Sequence, residues 1–320
     1  MELKLDLKDK KILYQLDINS RQSNTKIAKK VGLSKDIVNY RIKKLEDQGL
    51  IKGYYSIIDF YKLGYFSIRV YLKLISTSPE KEKEIFEYLI KDKTTLYVNK
   101  IDGLFDIGIG TYVKNIYEFE EFYNNFKEQF KKYLGKEQIS IFTKVSHFHR
   151  AYLLEKKLDN EDSEIAGSKI QIKTDDTDLK ILRLLAKNAR IELVEISEKL
   201  KIPMTTIAFR IKQLEKKKVI LAYRFLFDFQ KYGYEYYKVD LSLDNISRLK
   251  ELSAYAHTHP NILYIDQTIG GSDFEFDIEI KNKEDFLKII DELKEKFPEI
   301  REWSYFTVRE YKKVLYFPEN

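Results

Sequence analysis

The chain contains no cysteine, only five prolines and one tryptophan among its 320 residues, and no long apolar run. The absence of cysteine excludes disulfides, thiol catalysis and cysteine-ligated zinc or iron–sulfur clusters. No stretch approaches the roughly 18 consecutive apolar residues of a membrane helix, and the beginning, MELKLDLKDKK, lacks the apolar block of a signal peptide. We therefore expect a cytoplasmic protein, and the length predicts two or more domains.

A long internal repeat is the main feature that the sequence does contain. The stretch LSKDIVNYRIKKLEDQGLIKGYY at 33–55 returns in altered form as IPMTTIAFRIKQLEKKKVILAYR at 202–224, and an offset of 169 aligns 9–65 with 178–234 without a gap. A looser repeat follows at an offset of 167, where Gly103, Asp106 and Asn115 match Gly270, Asp273 and Asn282. A period of this length indicates a duplicated pair of domains rather than a solenoid unit.

The repeat predicts four domains and one linker. Their expected bounds are 1–62 and 66–153 for the first pair, 154–173 for the linker, and 174–231 and 235–320 for the second pair. The linker includes DNEDSEIAGS, which has too few apolar side chains to pack. Positive charge is concentrated in the first member of each pair: the formal net charge is +6 for 1–65 and +7 for 166–234, against −1 for 66–165 and −6 for 235–320. Two basic blocks are the electrostatic footprint expected of phosphate binding.

Each basic block has the pattern of a helix-turn-helix. In the first copy, apolar spacing predicts helices at 10–16, 24–31 and 35–48, followed by a strand pair or wing at 51–58. Asp9 and Ser34 are the expected caps of the first and third helices, and Gly32 suits the left-handed position that ends the second. The third helix of such a motif fits the major groove of DNA.

Side chains off the apolar stripe of the third helix are the candidate DNA contacts. An Asn can pair with an adenine edge and a Lys with guanine acceptors, whereas Arg, Lys and Tyr near the wing are expected to hold phosphates. In the first copy the candidates are Lys35, Asp36, Asn39, Tyr40, Arg41, Lys43, Lys44, Lys52 and Tyr55. In the second copy they are Thr205, Arg210, Lys212, Gln213, Lys216, Lys217, Lys218 and Arg224.

The two copies differ at positions that matter for this chemistry. Gly32 is replaced by Lys201, Ser34 by Pro203, Asn39 by Ala208 and Tyr40 by Phe209. A left-handed Lys is strained, and Pro cannot cap a helix with a side-chain oxygen. The substitutions lead to the hypothesis that the first copy reads bases while the second mainly grips phosphates.

The first copy resembles the DNA-binding end of the Lrp/AsnC transcription regulators. It matches the pattern Ser–x–x–x–Val–x–x–Arg–Ile–x–x–Leu–Glu–x–x–Gly–x–Ile and a following Asp–x–x–x–x–Gly–Tyr hinge at Ser34, Val38, Arg41, Ile42, Leu45, Glu46, Gly49, Ile51, Asp59, Gly64 and Tyr65. The resemblance implies a winged helix-turn-helix joined to an α/β unit that dimerises and often senses an amino acid. It also implies an effector site near a Gly–x–x–Asp turn, here Gly103 with Asp106 and Gly270 with Asp273, although Gly and Asp also suit a plain hairpin turn.

The second member of each pair has the pattern of an α+β domain. Its elements are expected in the order βαββαβ, a ferredoxin-like fold with both helices on one face of the sheet, so the whole chain is a winged helix-turn-helix plus ferredoxin-like unit repeated in tandem. The uncovered face carries Arg69, Tyr71 and Lys73 in the first copy. In the second copy it carries Asp273, Glu275, Asp277 and Glu279. We expect the two faces to meet and form an intramolecular pseudo-dimer.

Together these features predict a sequence-specific regulator that binds double-stranded DNA, with an effector of the amino acid class, further homo-oligomerisation open, and neither catalytic residues nor cofactors. A nucleoid-type architectural binder with little sequence preference is one alternative. Haem-pathway decarboxylases resemble the same two-domain architecture, but their Arg–Arg–Phe–Gly type segment is absent. The pairs His147/His149 and His257/His259 lack a third ligand of the right type nearby, which favours packed or surface histidines over a metal site.

Overall fold

The computed structural model describes residues 4–155 and 163–318. Its helices are α1 (Leu7–Ile18), α2 (Asn24–Val31), α3 (Lys35–Asp47), α4 (Pro79–Lys91), α5 (Ile116–Phe130), α6 (Asp176–Lys187), α7 (Leu193–Leu200), α8 (Met204–Lys216), α9 (Leu249–Thr258) and α10 (Lys283–Lys296). Its strands are β1 (Ile51–Ile58), β2 (Phe66–Leu74), β3 (Thr95–Gly103), β4 (Ile107–Val113), β5 (Leu134–Phe148), β6 (Ser163–Ala166), β7 (Ile220–Phe227), β8 (Glu235–Leu243), β9 (Ile262–Ile269), β10 (Phe274–Ile280) and β11 (Ile300–Val314). Short 3-10 turns lie at Phe60–Leu63, Lys131–Tyr133 and Ala151–Leu154.

Local chemistry sets the ends of the three helices of the first head, which comprises α1, α2, α3 and β1. The Ser34 side chain accepts a hydrogen bond from the Ile37 backbone at 3.3 Å, and Gly32 is left-handed with φ 66°, as predicted. Helix α1 begins earlier than expected because Asp6, not Asp9, is its cap: the Asp9 N–H donates to the Asp6 carboxylate at 2.8 Å, and the Asp9 carboxylate accepts from the Asp6 N–H. The prediction of Asp9 as the cap was therefore wrong by one turn.

The second head, which comprises α6, α7, α8 and β7, is joined to the first through its strand. Strands β1 and β7 form a two-stranded antiparallel sheet, so neither head has the self-contained strand pair that the sequence suggested. Two symmetry-related bonds flank this sheet: the Ser20 N–H donates to the Tyr223 carbonyl at 2.8 Å, and the Ala189 N–H donates to the Tyr54 carbonyl at 3.1 Å. Each strand thus completes the other head as well as its own.

The remaining long strands close into a barrel. Strand β5 pairs with both β2 and β9, and β11 pairs with both β8 and β3, which gives the ring β5-β2-β4-β3-β11-β8-β10-β9 with every pairing antiparallel. Both β5 and β11 have 15 residues. Their first parts pair within their own half and their second parts cross to the other half, so the two halves are joined at both edges.

The barrel wall separates an apolar outer layer from a polar interior. Helices α4 and α5 cover the first half over side chains such as Ile85 and Phe126, and α9 and α10 cover the second over Leu252 and Phe286. Inside the barrel, Arg69 donates to Glu275 at 2.6 Å, and both side chains are almost fully buried. The expected contact between a basic face and an acidic face is therefore observed, in a closed barrel rather than between two stacked sheets.

Part of the predicted linker is ordered structure. Ser163–Ala166 form β6 against the end of β5, Ala166 is buried, and the Ile172 side chain packs against the core of the second head. The prediction that the linker has too few apolar groups to pack was wrong for these residues, whereas 156–162 lie outside the described residues. No helix within residues 4–155 and 163–318 combines the length and apolar character that a membrane span requires.

Candidate nucleic-acid interface

The recognition helix of the first head, α3, has one buried and one open side. Val38, Ile42 and Leu45 lie in the core of the head at 4% exposure or less. The opposite side is exposed and carries the predicted contacts Lys35, Asp36, Asn39, Tyr40, Lys43 and Lys44. This arrangement brings a polar, mainly basic surface together on a rigid helix, which is the geometry that major-groove reading requires.

A hydrogen-bond chain fixes Asn39 on that surface and reaches the other head. The Asn24 amide donates to the Asn39 side-chain oxygen at 2.6 Å, and the Asn24 oxygen accepts from the Arg190 guanidinium at 2.7 Å. Arg190 also lies over the Tyr54 ring, 5.1 Å from its centre. Because the Asn39 oxygen is engaged within the protein, its N–H groups are the part of the side chain that can donate to a base acceptor. This link between the heads could not be predicted from the sequence, because Asn24 and Arg190 are far apart along the chain.

Arg41 and Arg210, predicted to hold phosphates, are occupied within the protein. Arg41 lies 2.7 Å from carboxylate oxygens of both Asp6 and Asp9, and Arg210 lies 2.8 Å from Asp175 and 2.9 Å from Asp178. The hydrogen bonds that the two guanidinium groups donate to these carboxylates raise the pKa of both arginines. Each arginine therefore ties the recognition helix to the cap of the first helix of its head through Nη1, and a phosphate contact by either arginine stays a prediction.

Tyr55 and Arg224, also predicted as DNA contacts, are buried, so those predictions were wrong. Tyr55 points from β1 toward the barrel and stacks on Tyr316 with 3.9 Å between ring centres. Arg224 is 2% exposed and lies 3.4 Å from Asp17. Burial acts to raise the pKa of Asp17, but the guanidiniums of Arg224 and Arg150 outweigh it and hold that pKa below its usual value. The predictions failed because β1 and β7 form an internal sheet instead of exposed wings.

Lys52 occupies an intermediate position. Its ammonium lies 2.7 Å from the Asp228 carboxylate, while its side chain is 58% exposed. It therefore links β1 to the residue that follows β7 and stands at the mouth of the interior cavity described below.

The recognition helix of the second head, α8, exposes a different surface. Thr205, Lys212, Lys216, Lys217 and Lys218 are exposed, and Gln213 is half-buried. Between the lysines and the start of the helix lie Met204, 49% exposed, and Phe209, 62% exposed. Pro203 stands at the cap without a side-chain bond, and Lys201 adopts the left-handed conformation with φ 55°. The strained lysine and the missing cap follow from the two sequence changes identified above.

The two Gly–x–x–Asp turns, predicted to lie near an effector site, stabilise hairpins of the barrel. The Asp106 carboxylate accepts from the Leu74 backbone at 2.7 Å and from the Lys73 ammonium at 2.9 Å, and Asp273 accepts from the Leu243 backbone at 2.8 Å. Each Asp therefore anchors a hairpin to the end of the first strand of its half. Gly103, with φ 142°, packs against Phe306, and Gly270, with φ 82°, against the Ile139 carbonyl, so both glycines are needed for close approach to a neighbouring strand.

The histidine pairs are packed within the protein. Burial lowers the pKa of His147 to about 3 and that of His259 to about 4. His257 contacts the Phe148 ring edge-on. Among the described residues, no three His, Asp or Glu side chains are arranged to hold a metal ion.

Comparison with known proteins identifies the class. A family model described as winged helix-turn-helix DNA-binding matches residues 5–52 and 174–220, which are the two heads. An uncharacterised HTH-type transcriptional regulator of Pyrococcus furiosus is 32% identical over 118 residues, covering 37% of this chain and 78% of that protein. The HTH-type transcriptional regulator LrpA of Pyrococcus horikoshii is 41% identical over 85 residues, covering 27% of this chain and 59% of LrpA. The chain belongs to the Lrp/AsnC family of transcriptional regulators.

One solved structure matches the architecture across the whole chain. It is the siroheme decarboxylase NirDL, with a TM-score of 0.64 and coverage of 98% of this chain and 94% of that one. Sequence identity is 13%, so the likeness concerns the fold alone.

Proposed function

We propose that this protein is a sequence-specific transcriptional regulator that binds double-stranded DNA in the cytoplasm. It is a tandem duplication of a winged helix-turn-helix and a ferredoxin-like domain, so a single chain is an intramolecular pseudo-dimer. The observation that carries the proposal is the pair of exposed recognition helices held on one frame by the β1–β7 sheet. The two heads contact two half-sites on one face of DNA, about one helical turn or a multiple apart.

The heads divide the work. In the first, Asn39 and the nearby Lys35 and Lys43 read base edges, with Asp36, Tyr40 and Lys44 at the margin of the contact. In the second, lysines at 212 and 216–218 hold phosphates, while Met204 and Phe209 offer only apolar contact of the kind that a thymine methyl group accepts. The operator is consequently an imperfect palindrome.

A small effector, of the amino acid class, is a further part of this proposal, and the support for it is family membership. Since Asp106 and Asp273 already anchor hairpins, an effector at these turns contacts their backbone rather than the carboxylates. Whole chains can also associate with one another. The contact that forms the pseudo-dimer lies within one chain, so it leaves other surfaces available for such association.

We also propose that the protein is not a decarboxylase of tetrapyrroles, which carry several carboxylates. Four cations line the interior cavity, namely Lys52, Arg69, Arg150 and Lys238, and each is already paired with a carboxylate of the protein. Bringing a polyanion among paired cations would require breaking buried ion pairs, which is costly.

Footprinting of the full-length protein on genomic fragments at rising salt tests the proposal. A sequence-specific regulator keeps a bounded footprint as salt weakens the phosphate contacts. An architectural binder instead protects every sequence alike and loses all binding steeply. Turnover of a sirohaem-type substrate by the purified protein would support the enzyme alternative instead.

A further inference from the structure

The barrel and the β1–β7 sheet enclose a cavity of about 640 Å³ whose chemistry the DNA-binding role does not use. Its walls are largely aromatic, with tyrosines from both halves that include Tyr97, Tyr236 and Tyr311. The two halves contribute unequally: β4 presents Gly108 and Gly110 to the interior, whereas the matching positions of β10 are Glu275 and Asp277. The Tyr71 and Tyr97 rings lie over the two glycines and fill the space that side chains there would take.

Buried charges inside the barrel do not balance. Lys238 lies 2.9 Å from Asp266, 3.1 Å from Glu275, 3.4 Å from Asp277 and 4.0 Å from Asp240, so one ammonium serves four carboxylates. The second cation of the cluster is Arg69, which lies 2.6 Å from Glu275 and 3.4 Å from Asp266. Two cations therefore face four acids, and the cluster is short of positive charge.

Asp277 is the member of this cluster with spare capacity toward the cavity. It is 7% exposed and lines the cavity. One carboxylate oxygen accepts from the Tyr236 hydroxyl at 2.5 Å. The other, Oδ1, is the oxygen that lies 3.4 Å from the Lys238 ammonium, and it is buried and accepts no hydrogen bond from the described residues. The side-chain oxygen of Asn99, on the same cavity, is also buried and unpartnered there. Buried acceptors without donors are costly and indicate a missing partner.

The missing partner is a donor with positive charge. An ammonium group supplies hydrogen-bond donors and the charge that the acids lack, and the faces of the tyrosine rings favour a cation beside them. We propose that the cavity is a binding site for an organic cation, a primary amine whose ammonium group is held by Asp277 and whose body lies among the tyrosines.

Calorimetric titration of the full-length protein at about pH 8 tests this site, because Asp277 is then ionised. The probes are tyramine, putrescine and agmatine, with para-propylphenol as the uncharged analogue of tyramine and para-hydroxyphenylpropionate as an anionic one. We expect at least one of the three amines to bind. If tyramine binds, its uncharged and anionic analogues bind at least about tenfold more weakly.

Two variants locate the site. Asp277→Asn keeps the shape and weakens amine binding at least about tenfold, and Tyr97→Leu, which removes a ring face, weakens it without altering the acids. The control Asp102→Asn, at an exposed ion pair with Arg309 on the barrel exterior, leaves binding unchanged. The proposal is overturned if none of the three amines binds, if the anionic analogue binds as well as tyramine, or if folded Asp277→Asn and Tyr97→Leu proteins both bind the amine like the parent.

Discussion

At the scale of single residues, matching positions of the two halves carry different side chains inside the barrel. In a homodimer of two identical chains these positions would have to be the same. Arg69 and Lys238 occupy matching positions in the repeat and both are basic. Gly108 and Gly110, in contrast, match the acidic residues Glu275 and Asp277. A symmetric dimer would place either four glycines or four acids around the same axis. Fusion into one chain allows each wall of the barrel to complement the other.

Asp277 predicts an unusual pH dependence of stability. Burial, with the neighbouring Asp266, raises the pKa of Asp277 from its usual value of 3.8 to about 7 in spite of Lys238. Tyr236 and Arg69 also act to lower this pKa, and Tyr264 lies opposite Asp277 on β9. Because the folded pKa lies above the unfolded one, the folded state holds a proton that the unfolded state has lost, and stability falls as pH rises from about 4 to about 7. Asp277→Asn removes this loss, so its free energy of unfolding relative to the parent improves by on the order of 2 kcal/mol between about pH 5 and pH 8.

Urea denaturation of both proteins at the two pH values measures this difference. His147 and His259 have lowered pKa values in the folded protein, so their effect has the opposite sign. The unfolded state takes up protons at these histidines as pH falls below about 6.5, and the protein loses stability there. They are common to both proteins and cancel in the comparison. Equal differences at the two pH values would show that Asp277 is already ionised in the folded protein.

Lys201 gives a second prediction at this scale. It holds the left-handed conformation that Gly32 holds in the first head. Lys201→Gly removes that strain and stabilises the protein by about 0.5–1 kcal/mol, which thermal or urea unfolding detects. Lys199→Gly, inside α7, is the matched control and is destabilising by about 1 kcal/mol. A destabilised Lys201→Gly protein would mean that the Lys side chain contributes more than its backbone costs.

At the scale of elements, the recognition helices are equivalent in position and different in surface. Helix α3 is capped by Ser34 and exposes Asn39, whereas α8 lacks a side-chain cap and exposes Phe209 at the position of Tyr40. The β1–β7 sheet carries both helices, and the chain Arg190–Asn24–Asn39 ties the base-reading side of one head to the other. The exposed side of α3 is therefore in hydrogen-bond contact with the other head.

Variants on the two helices separate their roles. Asn39→Ala with Lys43→Ala relaxes sequence preference, with a loss of about 1–3 kcal/mol of discrimination at each base read. Lys216→Ala, Lys217→Ala and Lys218→Ala together reduce affinity evenly across sequences and lower the salt slope by about one for each lysine that contacts a phosphate. Binding measured on an operator and on a shuffled duplex over a salt series distinguishes them. Loss of sequence preference from the lysine variants alone would contradict the division of labour.

The sequence predicted elements better than it predicted their partners. Caps and glycine turns are local, so Ser34, Gly32 and the bounds of α2 were predictable from a few residues. Tyr55 and Arg224 were assigned to DNA because nothing local shows that β1 pairs with a strand about 170 residues away. The internal contact of Arg41 was missed for a related reason: its partner Asp6 caps another helix, and nothing in the sequence near Arg41 shows that contact.

At the scale of the whole molecule, the barrel and the β1–β7 sheet form a pseudo-two-fold frame that carries two different heads. The closed barrel and the β1–β7 sheet hold the two halves together by continuous backbone pairing, so the spacing of the heads is built into one polypeptide. We propose that this frame presents one head that reads sequence and one that mainly binds phosphates. A homodimeric relative, with two identical heads, has no means of making that distinction.

Selection of bound sequences from a randomised duplex pool by the full-length protein tests this claim most directly. We predict two half-sites about one helical turn or a multiple apart, one sharply constrained and one weakly constrained, with the sharp half-site relaxed by Asn39→Ala. Equal constraint in both half-sites, or no enriched sequence at all, would contradict the account.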